Sequence, residues 1–402
     1  MGQSVTSLPD NALRSEKSTR LPATIAYYAA FVVLGLTSAS LGPTLPGLAE
    51  HTRATLRQAS YLFTARSLGY LLGSFRGGRL YDRLPGHPLM GFAVLAMAAL
   101  AALVPVTPVI WLLAGVLALL GMAEGMLDTG GNTLLVWVHG RGVGPFMNGL
   151  HFFFGLGAFL SPVLVAQAIL ITGDINWAYW AVALVAVPMA LNLLRLPSPP
   201  RQSAASGNAS NGNDRMLVAL LALFFFLHVA AESSFGGWIY TYALRLGLCD
   251  VSRAAYLTSA FWGSLTVGRL LAIPISVRMT PRQMLVGDVA ACLLSVTVIL
   301  LWPGSRLAMW VGTCGAGLAI ASLFPTSLSF AERSLTISGR VTGWFLMGAS
   351  IGGMSLPWLI GQLFERMGPH ITMVLIFADV VLAALVLAAV LVRGRDVARR
   401  FA

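Results

Sequence analysis

The chain has 402 residues, of which 57% are hydrophobic and only 10% charged, against about 25% charged in a soluble domain. That balance excludes a soluble globular protein and points to an integral membrane one. The formal net charge of +11 would suit nucleic acid or mark topology, and the placement of the basic residues decides between the two.

Residues 1–23 are polar and carry no apolar run, so they are expected to form a cytoplasmic tail without a cleaved leader. Six apolar runs follow at 24–46, 57–79, 88–107, 109–137, 145–171 and 176–196. Each is long enough to cross about 30 Å of hydrocarbon as a helix. Residues 197–215, PSPPRQSAASGNASNGNDR, have the Pro, Ser, Gly and Asn content of a flexible cytoplasmic linker. Six more runs occupy 216–245, 254–277, 283–302, 307–330, 339–364 and 371–393, and a short cytoplasmic tail closes the chain at 394–402. The predicted fold is all-α: twelve transmembrane helices in two bundles of six, 24–196 and 216–393.

The loops on one side of these spans hold 18 of the 26 basic residues, and Arg66 and Arg269 lie within spans. The positive excess is therefore a topology signal that places both termini in the cytoplasm, and no nucleic acid partner is expected. Abundant Arg and Ala with almost no Lys fit a GC-rich bacterial coding sequence, hence an inner membrane. Cys249, Cys292 and Cys314 lack metal-ligand spacing and read as small core residues.

An offset of 195 aligns the halves. It pairs Tyr61-Leu62 with Tyr256-Leu257, Gly73 with Gly268, Arg83 with Arg278, Gly144 with Gly339, Pro162 with Pro357 and Gln167 with Gln362. Agreement in one register predicts a duplicated six-helix unit with a cavity between the copies.

The loop GGRLYDRLPGHP (77–88) is similar to the helix 2–3 loop of the major facilitator superfamily, matching it at Gly78, Asp82, Arg83 and Gly86. One residue is inserted before Gly86, and His87 stands where a base is usual. The loop reads as a conformational latch, with Gly78 allowing close helix approach and Asp82 pairing with Arg across the bundle interface; a plain topogenic turn is the simpler reading. Longer stretches resemble the sodium-dependent glucose transporter branch of that superfamily, which is related to the fucose–proton symporters. They are LDTGGNTL (127–134), LHFFFGLGAFLSP (150–162), AESSFGGWIYTYAL (231–244), SAFWGSLTVGRLLAIP (259–274) and SLFPTSLSFAER (322–333). The resemblance implies secondary transport of a hexose or similar polyol driven by a cation gradient. Glu124 resembles the helix 4 Glu of the fucose symporters, but TSASLGPTLP (37–46) lacks their helix 1 acid, so H⁺ and Na⁺ both stay open as the coupling ion.

A carboxylate at the bilayer centre costs about 2.5–3.5 kcal/mol, which makes intramembrane acids functional candidates. Glu124, Asp128 and Asn132 are spaced so that one helix face carries all three. His228 and Glu232 share a face in helix 7, where Gly236-Gly237 predicts a local break of the kind that exposes carbonyls to a cation. Glu232 and then Asp128 are the expected ion-coupling residues, with Glu124 and His228 beside them. If the ion is Na⁺, Asp128 or Glu232 would hold it with other oxygen ligands; no other metal and no cofactor is expected.

A sugar needs amides, carboxylates and hydroxyls for its OH groups and an aromatic face for its ring. The candidates are Asn132, Asn148, His151 and Glu232, with Trp238, Tyr242, Phe261, Trp262 and Trp344 for stacking. Against this, a single aromatic is more often a core or lipid-facing residue, and His151 could be a satisfied buried histidine. Asp379, alone in helix 12, reads as structural. Arg269 suits a carboxylate between the bundles, and Arg66 an anionic substrate or a snorkelling position.

The leading reading is a monomeric secondary active transporter, a cation-coupled sugar symporter working by alternating access. A proton-coupled exporter of drugs or another small molecule is the alternative, and a non-transporting membrane sensor the third. No spaced ligand set, phosphate loop or nucleophile elbow supports an enzyme, and no catalytic residue is assigned.

Overall fold

The computed structural model describes residues 10–200, 214–335 and 339–401; the first nine residues of the expected tail and 201–213 of the expected linker lie outside them. The described residues form helices and no strand. The first crossing is α1 (Asp10–Ser38) with α2 (Leu41–His51), and the second is α3 (Leu56–Ala59) with α4 (Tyr61–Tyr81). Crossings three to six are α5 (Gly86–Leu103), α6 (Ile110–His139), α7 (Gly144–Thr172) and α8 (Asn176–Arg195). The second half runs α9 (Arg215–Arg245), α10 (Val251–Arg278), α11 (Pro281–Leu301), then α12 (Arg306–Ile320) with α13 (Leu323–Ser334), α14 (Gly339–Met367) and α15 (Ile371–Phe401). Eleven helical segments are long and apolar enough to cross a membrane. The twelfth crossing, α4, falls outside that set and carries Arg66, Arg76 and Arg79 within its 21 residues.

Apart from the one-residue step at Ser60 between α3 and α4, two crossings are broken, and each of these breaks lies four residues before a proline. The helix lapses at Ala39–Ser40 and at Ala321–Ser322. Pro43 and Pro325 have no N–H to offer the carbonyls of Ala39 and Ala321. Near the first break, hydroxyls take up backbone carbonyls: Ser40 Oγ donates to Thr37 O (2.8 Å) and Thr44 Oγ1 to Ser40 O (2.7 Å). The break expected at Gly236-Gly237 is absent, and α9 is continuous from Arg215 to Arg245. Those glycines serve contact instead: a Cβ on Gly42 would sit 2.6 Å from Gly236 O, and one on Gly237 would sit 2.8 Å from the Phe63 ring.

The 195-residue offset reappears in the helix seams. A Cβ on Gly157 would lie 2.1 Å from Val32 O, and one on Gly352 would lie 1.9 Å from Phe226 O, so α7 meets α1 as α14 meets α9. Likewise Gly73 of α4 lies against Met122 of α6, and Gly268 of α10 lies against Leu318 and Ala321 of α12 and its break. Small residues let helices approach until their backbones touch, which is how helices associate where water gives no hydrophobic drive. Replacing Gly157 or Gly352 by Ala should therefore destabilise the purified protein by about 1–3 kcal/mol through overpacking. The control is Gly287→Ala on α11, where an added Cβ meets nothing within 4 Å and the better helix propensity should hold or raise the melting temperature.

Candidate functional site

The polar face of α6 owes its geometry to its glycines. A Cβ on Gly121 would sit 2.0 Å from Arg66 O, and one on Gly125 would sit 2.2 Å from Tyr70 O, while Gly69 and Gly73 answer from α4. At that separation Arg66 Nε donates to Glu124 Oε2 (2.9 Å) and Nη2 to Oε1 (2.7 Å). Its remaining Nη1 donates to Ser38 O (2.8 Å), at the end of α1 beside the first break. One turn on in both helices, Tyr70 Oη donates to Asp128 Oδ2 (2.6 Å), and Asn132 Nδ2 donates to Asp128 Oδ1 (3.1 Å) and Asp128 O (2.9 Å). The sequence expectation that Glu124, Asp128 and Asn132 share a face is met. Glu124, however, is 1% exposed and held bidentately by Arg66, so it ties three helices together, and Arg66 neither snorkels nor waits for an anion.

A cavity of ≈ 510 Å³ lies between the halves. From α7 it takes Asn148, His151 and Phe152; from α10, Thr266, Arg269 and Ser276; from α13, Phe324, Thr326, Ser329 and Arg333. It extends to Met279 and Pro281 at the α10–α11 turn. Twelve crossings put both chain ends on one face, and this turn, after the eighth crossing, is on that same face. The opposite face is shut by contacts between the halves. Leu56 N donates to Glu365 Oε1 (2.9 Å), and Arg57 Nε to Gln362 Oε1 (2.8 Å). Gln362 Nε2 in turn donates to Ser60 Oγ (3.1 Å), and Gln167 Nε2 to Tyr256 Oη (2.9 Å).

Of the residues expected to bind substrate, Asn148 and His151 line the cavity. Asn132 is spent on Asp128. Glu232 is half-buried on α9, makes no hydrogen bond among the described residues, and interacts electrostatically with Arg269. Trp238 does not reach the cavity: it is fully buried between Phe63 and Phe364, and its Nε1 donates to Pro357 O (3.0 Å). Tyr242 is buried near His370, and Phe261 is stacked on Phe235 at 5.0 Å. Trp262 packs over Gly236, and Trp344 is exposed and outside the cavity lining. His228 is buried with Nδ1 on Phe224 O (2.9 Å).

Sequence reasoning singled out Arg269 but overlooked Thr266 and Ser276 on the same stripe, and the stripe Thr326-Ser329-Arg333 altogether. Both had a legible signal, since polar residues recur there at helical spacing within apolar runs. In the helix 2–3 loop, Asp82 and Arg83 are exposed, and no ion pair joins either to the other half among the described residues. Gly78 is not at a tight contact, its nearest neighbour being Thr129 Cγ2 at 4.0 Å, whereas Gly86 lies against Leu134. His87 is buried and bonded to Tyr27 Oη (2.6 Å) and Leu196 O (3.2 Å), so it replaces a surface base with an internal tie.

The sequence profile of the Major Facilitator Superfamily matches residues 27–357. The chain belongs to the major facilitator superfamily. It is 34% identical over 357 residues to sodium-dependent glucose transporter 1 of Xenopus laevis, covering 81% of this chain and 72% of that protein. It is 32% identical to sodium-dependent glucose transporter 1A of Mus musculus, covering 84% and 88%. Its fold superposes on a crystal structure of a point mutant of the nucleoside transporter NupG with a TM-score of 0.76 at 13% identity, covering 92% of this chain and 99% of that one.

As a major facilitator protein the chain is a multi-pass membrane transporter, not an enzyme, with the twelve-helix, two-bundle fold and the alternating access general to it. Its Arg66–Glu124 pair sits among α1, α4 and α6 and does not line the cavity. Removing one partner leaves a buried charge uncompensated, so Arg66→Leu should cost about 3–5 kcal/mol. The double variant R66L/E124L should lose less than R66L alone, read from denaturation midpoints of the two purified proteins.

Proposed function

We propose that the chain is a secondary active symporter that carries a hexose or related sugar together with a cation. It works as a monomer in a bacterial inner membrane with both termini cytoplasmic, rocking the bundles 24–196 and 216–393 about a central site. In that orientation the cavity faces the cytoplasm. The observation that carries this reading is the cavity itself. Its ≈ 510 Å³ falls in the size range of small-molecule sites. An amide, an imidazole, two guanidinium groups and several hydroxyls line it beside two Phe rings, which is the donor and acceptor mix that a ring bearing many OH groups requires.

For the coupling ion the choice narrows to Glu232. Glu124 is saturated by Arg66, and both oxygens of Asp128 are engaged within its own bundle, whereas Glu232 makes no hydrogen bond among the described residues and interacts electrostatically with Arg269. The names of the relatives, sodium-dependent glucose transporters, favour glucose as substrate and Na⁺ as ion.

Uptake of labelled glucose and a hexose panel into proteoliposomes, with Na⁺ and pH gradients imposed separately, tests the reading. Accumulation of at least one sugar under one gradient is expected, and failure of every sugar under both overturns it. Glu232→Gln should abolish accumulation while leaving sugar exchange at equilibrium. His151→Ala and Asn148→Ala should each weaken sugar affinity about tenfold, as loss of roughly one hydrogen bond implies.

A further inference from the structure

The charges that line the central cavity are all of one sign. Arg269 of α10 and Arg333 of α13 line it, and no Asp or Glu does. Arg333 is next to last in α13 and exposed, on the face that carries both chain ends, where arginine is a topology signal. Arg269 has no such explanation. It lies roughly 14 Å inside the end of α10 at Arg278, at about 1.5 Å of rise per residue, and a cation held at that depth is costly unless something pairs with it.

The two arginines within spans are treated in opposite ways. Arg66 is spent on Glu124 and Ser38. Arg269 is half-buried on the cavity wall and makes no hydrogen bond or ion pair among the described residues, so its N–H donors are free for an occupant. Two titratable groups lie within its electrostatic reach, His151 of α7 and Glu232 of α9. Of these His151 lines the cavity and Glu232 does not.

Charge balance then constrains the cargo. Glu232 is the coupling residue of the symport reading, and a cation bound there, H⁺ or Na⁺, cancels its negative charge. Arg269 is left with no anionic neighbour, and the substrate is the remaining component that can supply one. A carboxylate suits it, because a guanidinium grips both carboxylate oxygens through two parallel N–H···O bonds. A phosphate dianion suits it less, since repulsion from Glu232 before the cation arrives grows with the anion's charge.

We propose that the chain carries an acidic sugar, a monosaccharide bearing one carboxylate, with Arg269 binding the carboxylate and Asn148 and His151 left for the hydroxyls. The proposal rests on the symport reading for a sugar in this cavity and a cation at Glu232, and it narrows the sugar to a sugar acid. Cation and substrate then cross as a neutral pair.

Calorimetric titration of the full chain in nanodiscs, at fixed pH and Na⁺ with no gradient, tests it with paired probes: glucose and glucuronate, galactose and galacturonate, and glucose 6-phosphate beside them. In at least one pair the acid should bind about tenfold or more tightly than its neutral parent, as charge-assisted hydrogen bonds imply. Arg269→Gln should bring the acid down to its parent's affinity and leave the parent within about twofold, Arg269→Lys should recover part of the difference, and Arg333→Gln should keep most of it. The proposal is overturned if no acid binds more tightly than its parent, if R269Q weakens both members of a pair alike, or if glucose 6-phosphate binds more tightly than either acid. If R269Q does not fold, the wild-type pairs decide alone. An acid that binds as expected but accumulates under neither gradient refutes the symport reading and leaves the acid site standing. A neutral hexose that accumulates while neither acid binds does the reverse.

Discussion

Helices α4 and α6 approach until the carbonyls of one touch the glycines of the other, and the arrangement of polar groups in the N-terminal half depends on that distance. A Cβ at Gly69, Gly73, Gly121 or Gly125 would fall within about 2.2 Å of a facing backbone oxygen. With larger residues there, Arg66 would stand farther from Glu124 and Tyr70 farther from Asp128. The same constraint holds α1 to α7 and α9 to α14. In a bilayer the lipid is as apolar as any side chain, so van der Waals contact between backbones must supply much of the cohesion.

That cohesion sorts the ionisable groups. Those on the seams are fully partnered: Arg66 uses three nitrogens on Glu124 and Ser38, and Asp128 receives from Tyr70 and Asn132. They act within one half and hold its helices in register. Those next to the cavity, namely His151, Arg269 and Glu232, keep unused hydrogen-bonding capacity. In a medium of low dielectric an unsatisfied polar group is costly, so retained capacity marks where an occupant belongs.

The fold was almost wholly legible in the sequence. Span length, loop charge and the 195-residue offset rest on one-dimensional regularities that the bilayer and gene duplication impose directly. The site was legible in part. Asn148 and His151 were found because polar residues in an apolar run are conspicuous, and Arg66 was noticed, but its partner lay 58 positions away and no pattern joins them. The glycine pair in α9 was read as a break when it is a contact, because a glycine in a sequence does not say whether it frees the backbone or admits a neighbour. The real breaks were marked by prolines at Pro43 and Pro325, whose effect falls four residues upstream. The aromatics misled for a related reason: Trp238 and Phe261 have the composition of a sugar platform, and only packing shows that their faces are already covered.

The face opposite the cavity carries a further lesson. Gln167 reaches Tyr256, and Gln362 reaches Ser60, next to Tyr61; each glutamine and each tyrosine is its counterpart's image 195 residues along. The closure thus uses the same glutamine position in each half, turned over between them, one reaching the tyrosine and the other the serine beside that tyrosine's counterpart. Its bonds lie at or near the exposed rim, where each is worth only about 0.5–1.5 kcal/mol. A handful of them sums to the few kcal/mol by which a bound ligand can tip a two-state balance. Had ion pairs as deeply buried as Arg66–Glu124 sealed this rim, the gate would have been a weld; made of weak twins, it yields on both sides at once.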